Sequence, residues 1–472
     1  QVPYRTQGFA GRAAYTYADR YIAEFNFGYN GSENFAKGNR FGFFPSIAAG
    51  WIVSEEEFMR PVQNYINKLK LRASYGLAGN DRFYNDDGSQ KRFAYITTIG
   101  TTDGYKWGNS NAFYDKGGLR EGDPGVESLT WETVKKANVG IELGLFKMAE
   151  LQVDFFHERR EDIFMQRKNI PSSAGFPSAP WANYGIVTNK GFDISLDLNK
   201  QINKDWFISA RASVTYAKNK IIEQDEDLGV LGTYRSSTGK PVGQIFGLVN
   251  DGLYTEADFE DVTTGKLKPG LPVPKFSDRV YPGDIKYVDF NGDGEITETD
   301  KTAIGGTVNP ELVYGFGINL SYKNIDFGAF FQGNGRTYRI IGENQKNFLP
   351  GSTIGAEGNI FTNASDAWTV DNPSQDVFYP RLHMGYNANN AQVSDWWLKD
   401  MSMLRLKNVE LGYSFSKNLI KKAAMEYARI FVRGTNLLQF SKFDLWDPEL
   451  NTSNGLKYPI MATYSIGLQV RF

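Results

Sequence analysis

Apolar and polar residues alternate with a period of two along most of the chain. The pattern is clearest in KLKLRASYGL at 68–77, NVGIELGL at 138–145, GFDISLDLN at 191–199 and YGFGINLSY at 314–322. Such alternation predicts β-strands with one apolar and one polar face. Each segment has about ten residues, the length of a tilted strand that crosses a bilayer. The pattern therefore predicts an all-β protein and favours a transmembrane antiparallel β-barrel.

Short turns and long loops alternate between the predicted strands. We predict thirteen strands, which start near residues 9, 21, 42, 67, 131, 150, 190, 205, 312, 325, 402, 428 and 462. Short turns lie at 17–21, 146–150, 199–205 and 322–325, and intermediate links near 54–66 and 417–427 take equivalent places. The long links lie at 30–42, 78–130, 160–189, 219–311, 336–401 and 438–461. This alternation is typical of outer-membrane barrels, which have turns in the periplasm and loops outside the cell.

Two local features refine this picture. In LRLKNVELGYSF the apolar phase changes between Leu406 and Val409, which predicts a β-bulge. The last nine residues, YSIGLQVRF, alternate to the final Phe472. We expect lipid to contact the residues in phase with Phe472, and the terminal aromatic to lie in the interfacial girdle at the periplasmic rim. The alternative is the closing strand of a soluble β-sandwich, although strands there average only about five or six residues.

Composition excludes several other classes of protein. The 472 residues include no cysteine and only two histidines, so disulfides, thiol catalysis and histidine metal clusters are excluded. The formal charge of −2 gives no electrostatic reason to expect nucleic acid. No segment approaches the roughly 20 apolar residues of a membrane helix, although hydropathy averages do not detect transmembrane β-strands.

Eight stretches, in order along nearly the whole chain, resemble SusC-like TonB-dependent transporters of the bacterial outer membrane. They are YTYADRYIAEFNFGYNGSENFAKGNRFGFFPSIAAGW, LKLRASYGLAGN, LTWETVKKANVGIELGLF, IPSSAGFPS, NKGFDISL, GDIKYVDFNGDGEIT, SMLRLKNVELGYSF and RGTNLLQFSKFDLWDPE. Each stretch is weak alone, but together in this order they are highly specific.

The resemblance implies a 22-stranded barrel that is filled by an N-terminal plug, driven by the TonB complex and capped by a SusD-like lipoprotein. Such pairs import oligosaccharides, or sometimes peptides, across the outer membrane. Residues 1–472 would then be about 13 C-terminal strands of that barrel, without the plug. Bacterial barrels have even strand numbers. We therefore expect an N-terminal half of the same barrel, with about nine strands, to precede Gln1.

The segment DFNGDGEITETD has the spacing of a calcium-binding loop. Oxygen-bearing side chains stand at its first, third, fifth and twelfth positions, and a glycine stands at the sixth. The predicted calcium ligands are Asp289, Asn291, Asp293, the Glu295 carbonyl and Asp300. The alternative is an ordinary turn, since Asn-Gly and Asp-Gly favour turns without any metal.

Loop aromatics are the candidates for substrate contact, because their faces stack on sugar rings. These candidates are Trp107, Trp181, Tyr184, Trp396 and Trp397, and packing within the loops is the alternative for each. No nucleophile–base pair or phosphate-binding loop is evident, so we predict that the chain is not an enzyme.

Three functions remain open from the sequence. The first is a TonB-dependent importer of oligosaccharides or other large polar oligomers, with peptides as the alternative substrate. The second is a passive outer-membrane porin. The third is a soluble carbohydrate-active β-protein, because aromatic and carboxylate side chains also suit glycan hydrolysis.

Overall fold

The computed structural model describes residues 4–84, 88–109, 112–176, 178–342, 362–421 and 424–472. Within them, thirteen long strands form an antiparallel sheet whose strand order follows the chain. The strands are β1 (Thr6–Tyr17), β2 (Tyr21–Ser32), β3 (Phe41–Ile52), β4 (Ile66–Asn80), β5 (Glu132–Leu145), β6 (Ala149–Gln166), β7 (Trp181–Gln201), β8 (Trp206–Glu223), β9 (Leu312–Tyr322), β10 (Ile325–Gly335), β11 (Met403–Ser414), β12 (Tyr427–Ser441) and β13 (Thr463–Arg471). The predicted strand starts match these bounds within three residues, except at β7.

The chain divides into two compact units. Residues 1–200, 213–231 and 238–240 form unit 1, and residues 201–212, 232–237 and 241–472 form unit 2. Unit 1 contains β1 to β6, β7 as far as Lys200 and the larger second part of β8, while unit 2 contains the first part of β8 and β9 to β13.

One face of the unit 1 sheet is exposed and apolar. Phe9 pairs directly with Tyr29, and Tyr29 pairs with Phe43, so the three rings lie side by side on the same face. All three are more than two-fifths exposed. A soluble protein would bury such a row under other protein residues, whereas a lipid-facing sheet leaves the row uncovered by protein and in contact with lipid.

The opposite face of the sheet carries ion pairs that cross a strand above a glycine. In unit 1, Arg72 of β4 and Asp154 of β6 both pair with Gly140 of β5, and Arg72 Nη2 donates to Asp154 Oδ2 at 2.6 Å. In unit 2, Arg429 of β12 contacts Asp326 of β10 beside Gly412 of β11. Each glycine leaves open the space through which the arginine reaches its partner.

The predicted bulge is present in β11. In the ladder with β10, Leu406 pairs with Phe331 and Asn408 pairs with Phe330, so Lys407 is the additional residue that shifts the ladder. The ladder with β12 shifts at the same place, because Leu406 pairs with Leu438 while Asn408 pairs with Thr435. The phase change in the sequence therefore predicted both the position and the nature of this irregularity.

The structure corrects the predicted loop limits. Strand β7 begins at Trp181, nine residues before the predicted start at 190, and β6 extends to Gln166. The 78–130 link, predicted as a loop, contains a hairpin of Ile99–Asn109 and Ala112–Glu121. Polar and charged residues interrupt the apolar phase in these segments, so hydrophobic alternation does not reveal them.

Short elements complete the loops. In unit 1 they are the strands Phe83–Tyr84 and Gln90–Lys91 and the 3-10 turns Val53–Glu55, Glu57–Val62 and Ser172–Ala174. In unit 2 the strands are Gln244–Gly247, Asn250–Leu253, Phe259–Asp261, Lys266–Leu267, Val273–Pro274, Ile285–Tyr287, Glu295–Ile296, Thr302–Thr307, Tyr338–Ile340 and Leu398–Asp400. Its helical turns are Glu256–Asp258, Glu298–Asp300, Thr362–Ser365, the α-helical Lys417–Ile420 and Pro448–Leu450.

The loops of each unit have an apolar core of their own. In unit 1 a cluster forms around Phe35, Phe83, Leu129 and Trp131, which are all at least nine-tenths buried. In unit 2 the larger cluster contains Leu248, Leu253, Ile285, Tyr287, Ile296, Ile304, Ile340, Ile341, Ala367, Trp368, Tyr379, Trp397, Met401 and Phe443. The long loops are thus packed structures. Within the described residues, no helix is long and apolar enough to span a membrane.

Candidate functional site

The predicted calcium loop forms a tight turn that is organised by its own carboxylates. Gly292 and Gly294 have φ angles of 75° and 82°, the left-handed region that glycine adopts without steric cost. Asp289 Oδ1 accepts a hydrogen bond from Gly292 N at 2.7 Å, and Asp289 Oδ2 accepts one from Gly294 N at 2.8 Å. The first carboxylate of the motif therefore holds the whole turn.

Side chains further along the loop repeat this arrangement over shorter spans. Asn291 Oδ1 accepts from Asp293 N at 3.0 Å, and Asp293 Oδ1 accepts from Glu295 N at 2.8 Å. The Glu295 side chain turns away to form an ion pair with Lys275 at 2.9 Å. The Glu295 side chain is therefore engaged outside the turn, and its carbonyl as a calcium ligand stays a prediction.

Asp300 connects the two ends of the loop. It is completely buried, and its Oδ1 accepts from Phe290 N at 3.0 Å while its Oδ2 accepts from Thr297 N at 2.8 Å. The second bond is part of a capping box on the 3-10 turn Glu298–Asp300. The twelfth position of the motif thus fixes the loop closure through the backbone.

The backbone bonds also set the charge state of Asp289. Burial raises its pKa, but the N–H donors of Gly294 and Gly292 outweigh that effect and lower the pKa below its usual range. The loop therefore presents an ionised carboxylate at neutral pH. Within the described residues, no group of three or more His, Cys, Asp or Glu side chains is gathered as a metal ion would require. Apart from the three Asp carboxylates, the predicted ligands are the Asn291 amide and the Glu295 main-chain carbonyl.

Trp181 lies against the apolar cluster of unit 1. Its ring stacks on Phe164 with the centroids 5.0 Å apart, and Lys91 Nζ lies 4.7 Å from its centroid. Tyr184, three residues further along β7, has the guanidinium of Arg167 at 4.5 Å from its ring centroid. Both rings are partly exposed, and both have a cation near the ring. The side chain of Trp107 lies outside the described residues.

Trp396 and Trp397 anchor the loop core of unit 2. Trp397 is 4% exposed, and its Nε1 donates to Asn390 O at 2.8 Å. Trp396 is half-buried, and its Nε1 donates to Phe378 O at 3.1 Å. The packing alternative left open by the sequence describes Trp397, while Trp396 retains an exposed portion.

Phe472 lies at the end of the exposed apolar face of unit 2. Its side chain is 82% exposed. In β13 the residues in phase with it include Leu468, which pairs with Ile430, and Ile466, which pairs with Val432. All four of these aliphatic side chains are at least two-fifths exposed. The face that the sequence assigned to lipid is thus apolar on both strands.

Sequence reasoning missed a buried ionic cluster at the bulge of β11. The Arg405 side chain is 4% exposed, and its Nη2 donates to Asp447 Oδ2 at 2.5 Å. Lys407, the bulged residue, donates to both carboxylate oxygens of Glu449 at 2.9 Å. The acidic partners, Asp447 and Glu449, belong to the FDLWDPE segment of the last loop. The sequence signal for this cluster was the presence of two acids in that loop and two cations, Arg405 and Lys407, at the predicted bulge.

No protein-family model matches the sequence. Curated relatives nevertheless align with nearly all of it. The chain is 30% identical to the TonB-dependent receptor P26 of Formosa agariphila, over 99% of this chain and 46% of that protein. It is 25% identical to the TonB-dependent receptor SusC of Bacteroides thetaiotaomicron, over 98% of this chain and 43% of that protein. The chain thus spans about half the length of the curated relatives it matches.

Solved structures show a similar fold. The RagAB peptide importer in its open-open state matches with a TM-score of 0.73 and 24% identity, over 99% of this chain and 47% of that chain. Its closed-closed state matches with a TM-score of 0.71. At 24% identity these matches show a shared fold. The outer-membrane location of the chain rests on the curated relatives, which are TonB-dependent receptors, and the exposed apolar face agrees with it.

The particular resemblance predicted from the sequence is also confirmed. The curated relatives include TonB-dependent receptors and SusC itself, at 25–30% identity over nearly the whole chain. These relatives are named as TonB-dependent receptors and not as enzymes, in agreement with the prediction for this chain.

Proposed function

We propose that the protein carrying this chain imports large polar oligomers across the outer membrane, with energy from the TonB complex and with a SusD-like surface lipoprotein as partner. The observation that carries the proposal is the similarity to TonB-dependent receptors, SusC among them, along 98–99% of the chain. The fold shared with the RagAB peptide importer supports it. The folded loops are the part of this chain available to a surface partner.

The substrate proposed first is an oligosaccharide, and a peptide is the alternative. The partly exposed rings of Tyr184 and Trp396 support stacking on a sugar face. The solved neighbour whose title names a peptide importer supports the alternative. The sheet face with ion pairs such as Arg72–Asp154 and Arg429–Asp326 offers both signs of charge, which suits polar oligomers of either kind.

Uptake by intact cells tests this function. Cells that lack the full-length protein should lose uptake of fluorescent oligosaccharides above the porin size limit, and deletion of TonB should cause the same loss. A matched panel of labelled peptides distinguishes the two substrate classes. Unchanged uptake of both panels without the protein would reject the import function. Uptake that survives the loss of TonB would instead support a passive porin, and a protein that remains soluble without detergent would support the carbohydrate-active alternative.

We also propose that the loop from Asp289 to Asp300 binds calcium as a structural ion. The spacing of Asp289, Asn291 and Asp293 and the ionised state of Asp289 support this proposal. Calcium bound there would be held by oxygens at about 2.3–2.6 Å and would order the loop without taking part in transport.

Proteolysis with and without chelator tests the calcium proposal. The double variant Asp289→Ala and Asp293→Ala should cleave faster within 219–311 than the wild type, and EGTA should make the wild type resemble it. Added calcium should slow cleavage of the wild type alone. Cleavage that is the same with calcium and with EGTA would show that the backbone bonds alone hold the turn.

A further inference from the structure

The exposed apolar face of unit 1 ends abruptly at the long-loop side of strands β5 to β8. On the outward phase of β5, the side chains are apolar from Leu145 to Ala137, and Lys135 is the first charge. On β6 the apolar run ends at His157, on β7 at Lys190 and on β8 at Lys218. Four neighbouring strands therefore change from apolar to basic or titratable side chains at nearly the same level.

The ladders place these residues in rows on one face. Val139, Phe155 and Phe192 form an apolar row, because Phe155 pairs directly with both other residues. Two residues further along each strand, Ala137, His157 and Lys190 form the next row. A strand rises about 3.3 Å per residue, so the rows are roughly 7 Å apart along the strands. Lys190 is thus the first charged residue beyond the apolar row on β7.

A third row continues the cationic surface. Lys135 and Arg159 are direct partners, and Arg159 also pairs with Thr188 of β7. The Thr188 hydroxyl donates to Lys220 O at 3.5 Å, which places Lys220 of β8 beside this row. The ring of Phe192 lies 5.7 Å from that of Tyr216, so the outward phase of β8 includes Lys218 and Lys220.

The balance of charge on this surface is strongly positive. Lys135, Arg159, Lys190, Lys218 and Lys220 carry five cations. The acid in the same phase on these rows is Glu161, which contacts both Lys135 and Arg159. Lys190 and Lys220 lie on the two strands away from that acid, and both are exposed.

Among the described long strands of unit 1, the basic surface is confined to β5 to β8. Towards the long-loop end of β1 to β3, the outward row of Phe9, Tyr29 and Phe43 is followed by the row of Gln7, Gly31 and Phe41, and neither row carries a charge. On β4 the partner of Lys135 is the apolar Leu77. A general need to solvate the rim of the membrane face would place charges on these strands as well, so the local concentration of cations points to a specific ligand.

We infer that this cationic surface binds the phosphate groups of a phosphorylated lipid in the outer leaflet. The apolar row of Val139, Phe155 and Phe192 would contact the acyl chains, while Lys190, Lys220 and Arg159 contact the phosphates above them. Basic side chains beside a membrane attract anionic headgroups, and each Lys or Arg near the surface contributes about 1 kcal/mol to the binding free energy. This inference rests on the outer-membrane location of the protein and is independent of the imported substrate.

Native mass spectrometry of the detergent-purified full-length protein tests the inference. The probes are lipid A with its phosphates and the same lipid after dephosphorylation. The double variant Lys190→Gln and Lys220→Gln should bind phosphorylated lipid A on the order of tenfold more weakly than the wild type. All proteins should bind the dephosphorylated lipid equally weakly.

The matched control is the double variant Lys147→Gln and Lys200→Gln. These exposed lysines lie at the short-turn end of the same region, so the control removes the same charge at the opposite rim. It should bind phosphorylated lipid A as the wild type does. The charge-conserving pair Lys190→Arg and Lys220→Arg should also retain binding, and heat-dependent gel mobility verifies that each variant is folded.

Three results would overturn the inference. The first is wild-type affinity in the Lys190→Gln and Lys220→Gln protein, and the second is an equal loss in the control. The third is displacement of the lipid by inorganic phosphate at a concentration equal to that of the lipid, since this would show a site for free phosphate rather than for a lipid headgroup.

Discussion

Asp225 is a buried carboxylate that joins the end of β8 to the loop after β6. Its Oδ2 accepts from Arg167 Nε at 2.8 Å and from Lys168 N at 2.7 Å, and its Oδ1 accepts from Asn169 Nδ2 at 2.8 Å. Replacement of Asp225 by Asn should destabilise this connection by about 1.5–3 kcal/mol, the usual range for a hydrogen bond to a charged group. Trypsin cleavage after Lys168 should accelerate in Asp225→Asn and stay unchanged in Asp227→Asn, an exposed neighbour. Equal cleavage of the two variants would contradict this role.

The same carboxylate makes the connection sensitive to acid. Burial raises the pKa of Asp225, but the bonds from Arg167 and Asn169 outweigh it and lower the pKa well below its usual range. A lowered pKa contributes stability that is fully present above the unfolded value of about 3.9 and is lost as the pH falls below it. Hydrogen exchange of the Lys168 and Asn169 amides, corrected for the intrinsic rate, should therefore lose protection below about pH 4. Asp225→Asn should lack this pH dependence.

Gly140 decides whether the ion pair on the polar face of unit 1 can form. A Cβ at this position would lie 2.5 Å from Asp154 Oδ1 and 2.7 Å from Arg72 Nε. Replacement by Ala should separate the pair and lower stability by about 1–3 kcal/mol, measured as the midpoint of heat-dependent gel mobility. Gly100→Ala is the control, because a Cβ there meets nothing within 4 Å. A Gly140→Ala midpoint equal to the control would show that the pair is dispensable.

At the residue level, the sequence predicted the residues of a local motif but not the ion pairs between residues that are distant in the chain. It singled out Asp289 and Asp300, and the structure shows both of them organising one loop. It did not connect Arg405 with Asp447 or Arg72 with Asp154, since these pairs are 42 and 82 residues apart in the chain. Alternation assigns a side chain to a face, but the partner on that face depends on strand register.

At the level of the strand, the face assignment of β13 is testable. Leu468 and Ile430 are direct partners on the exposed apolar face, whereas Gln469 pairs with Arg429 on the polar face. Arg at position 468 should lower the free energy of unfolding in bilayers by about 2–4 kcal/mol if the position lies near the membrane centre. Arg at position 469 should have a mild effect. Similar losses for both variants in denaturant titrations would contradict the assigned faces.

Strands with a continuous apolar face were predicted well, and their extensions were not. The starts of β2, β9 and β10 were predicted without error, because each strand is an alternating run with a short turn at one end. The first nine residues of β7 were missed because Thr188 and Lys190 interrupt the apolar phase that continues to Phe192. There the ladder with β6 is irregular near Asp162, which adopts a φ of 58°. Backbone pairing continues through such a segment without any hydrophobic signal in the sequence.

At the scale of the whole molecule, the long loops build a packed core that the sequence did not predict. In unit 2, the Ile285 amide donates to the buried Asn390 side chain, and Tyr287 donates to Asn389 O. These partners are more than 100 residues apart, and neither segment has a long periodic run. Tertiary contacts between irregular segments leave no local pattern, so the sequence indicated a loop where the structure has a folded body.

Trp397 tests whether that core holds the loops together. Its ring packs 6.2 Å from that of Tyr379, and both side chains are almost completely buried. Replacement of Trp397 by Ala should remove about 3–5 kcal/mol from the stability of the loop core, because the surrounding side chains cannot fill a cavity of that size. Limited proteolysis should then cleave the 241–311 and 362–401 loops much faster. The strands should remain folded, since their stability in a bilayer comes from their backbone ladders and lipid contact. Tyr458→Ala is the control, because that side chain is 81% exposed.

If Trp397→Ala and Tyr458→Ala are cleaved at the same rate, the apolar cluster does not hold these loops. If Trp397→Ala instead also abolishes heat-dependent gel mobility, the loop core and the strands of unit 2 unfold as one cooperative structure.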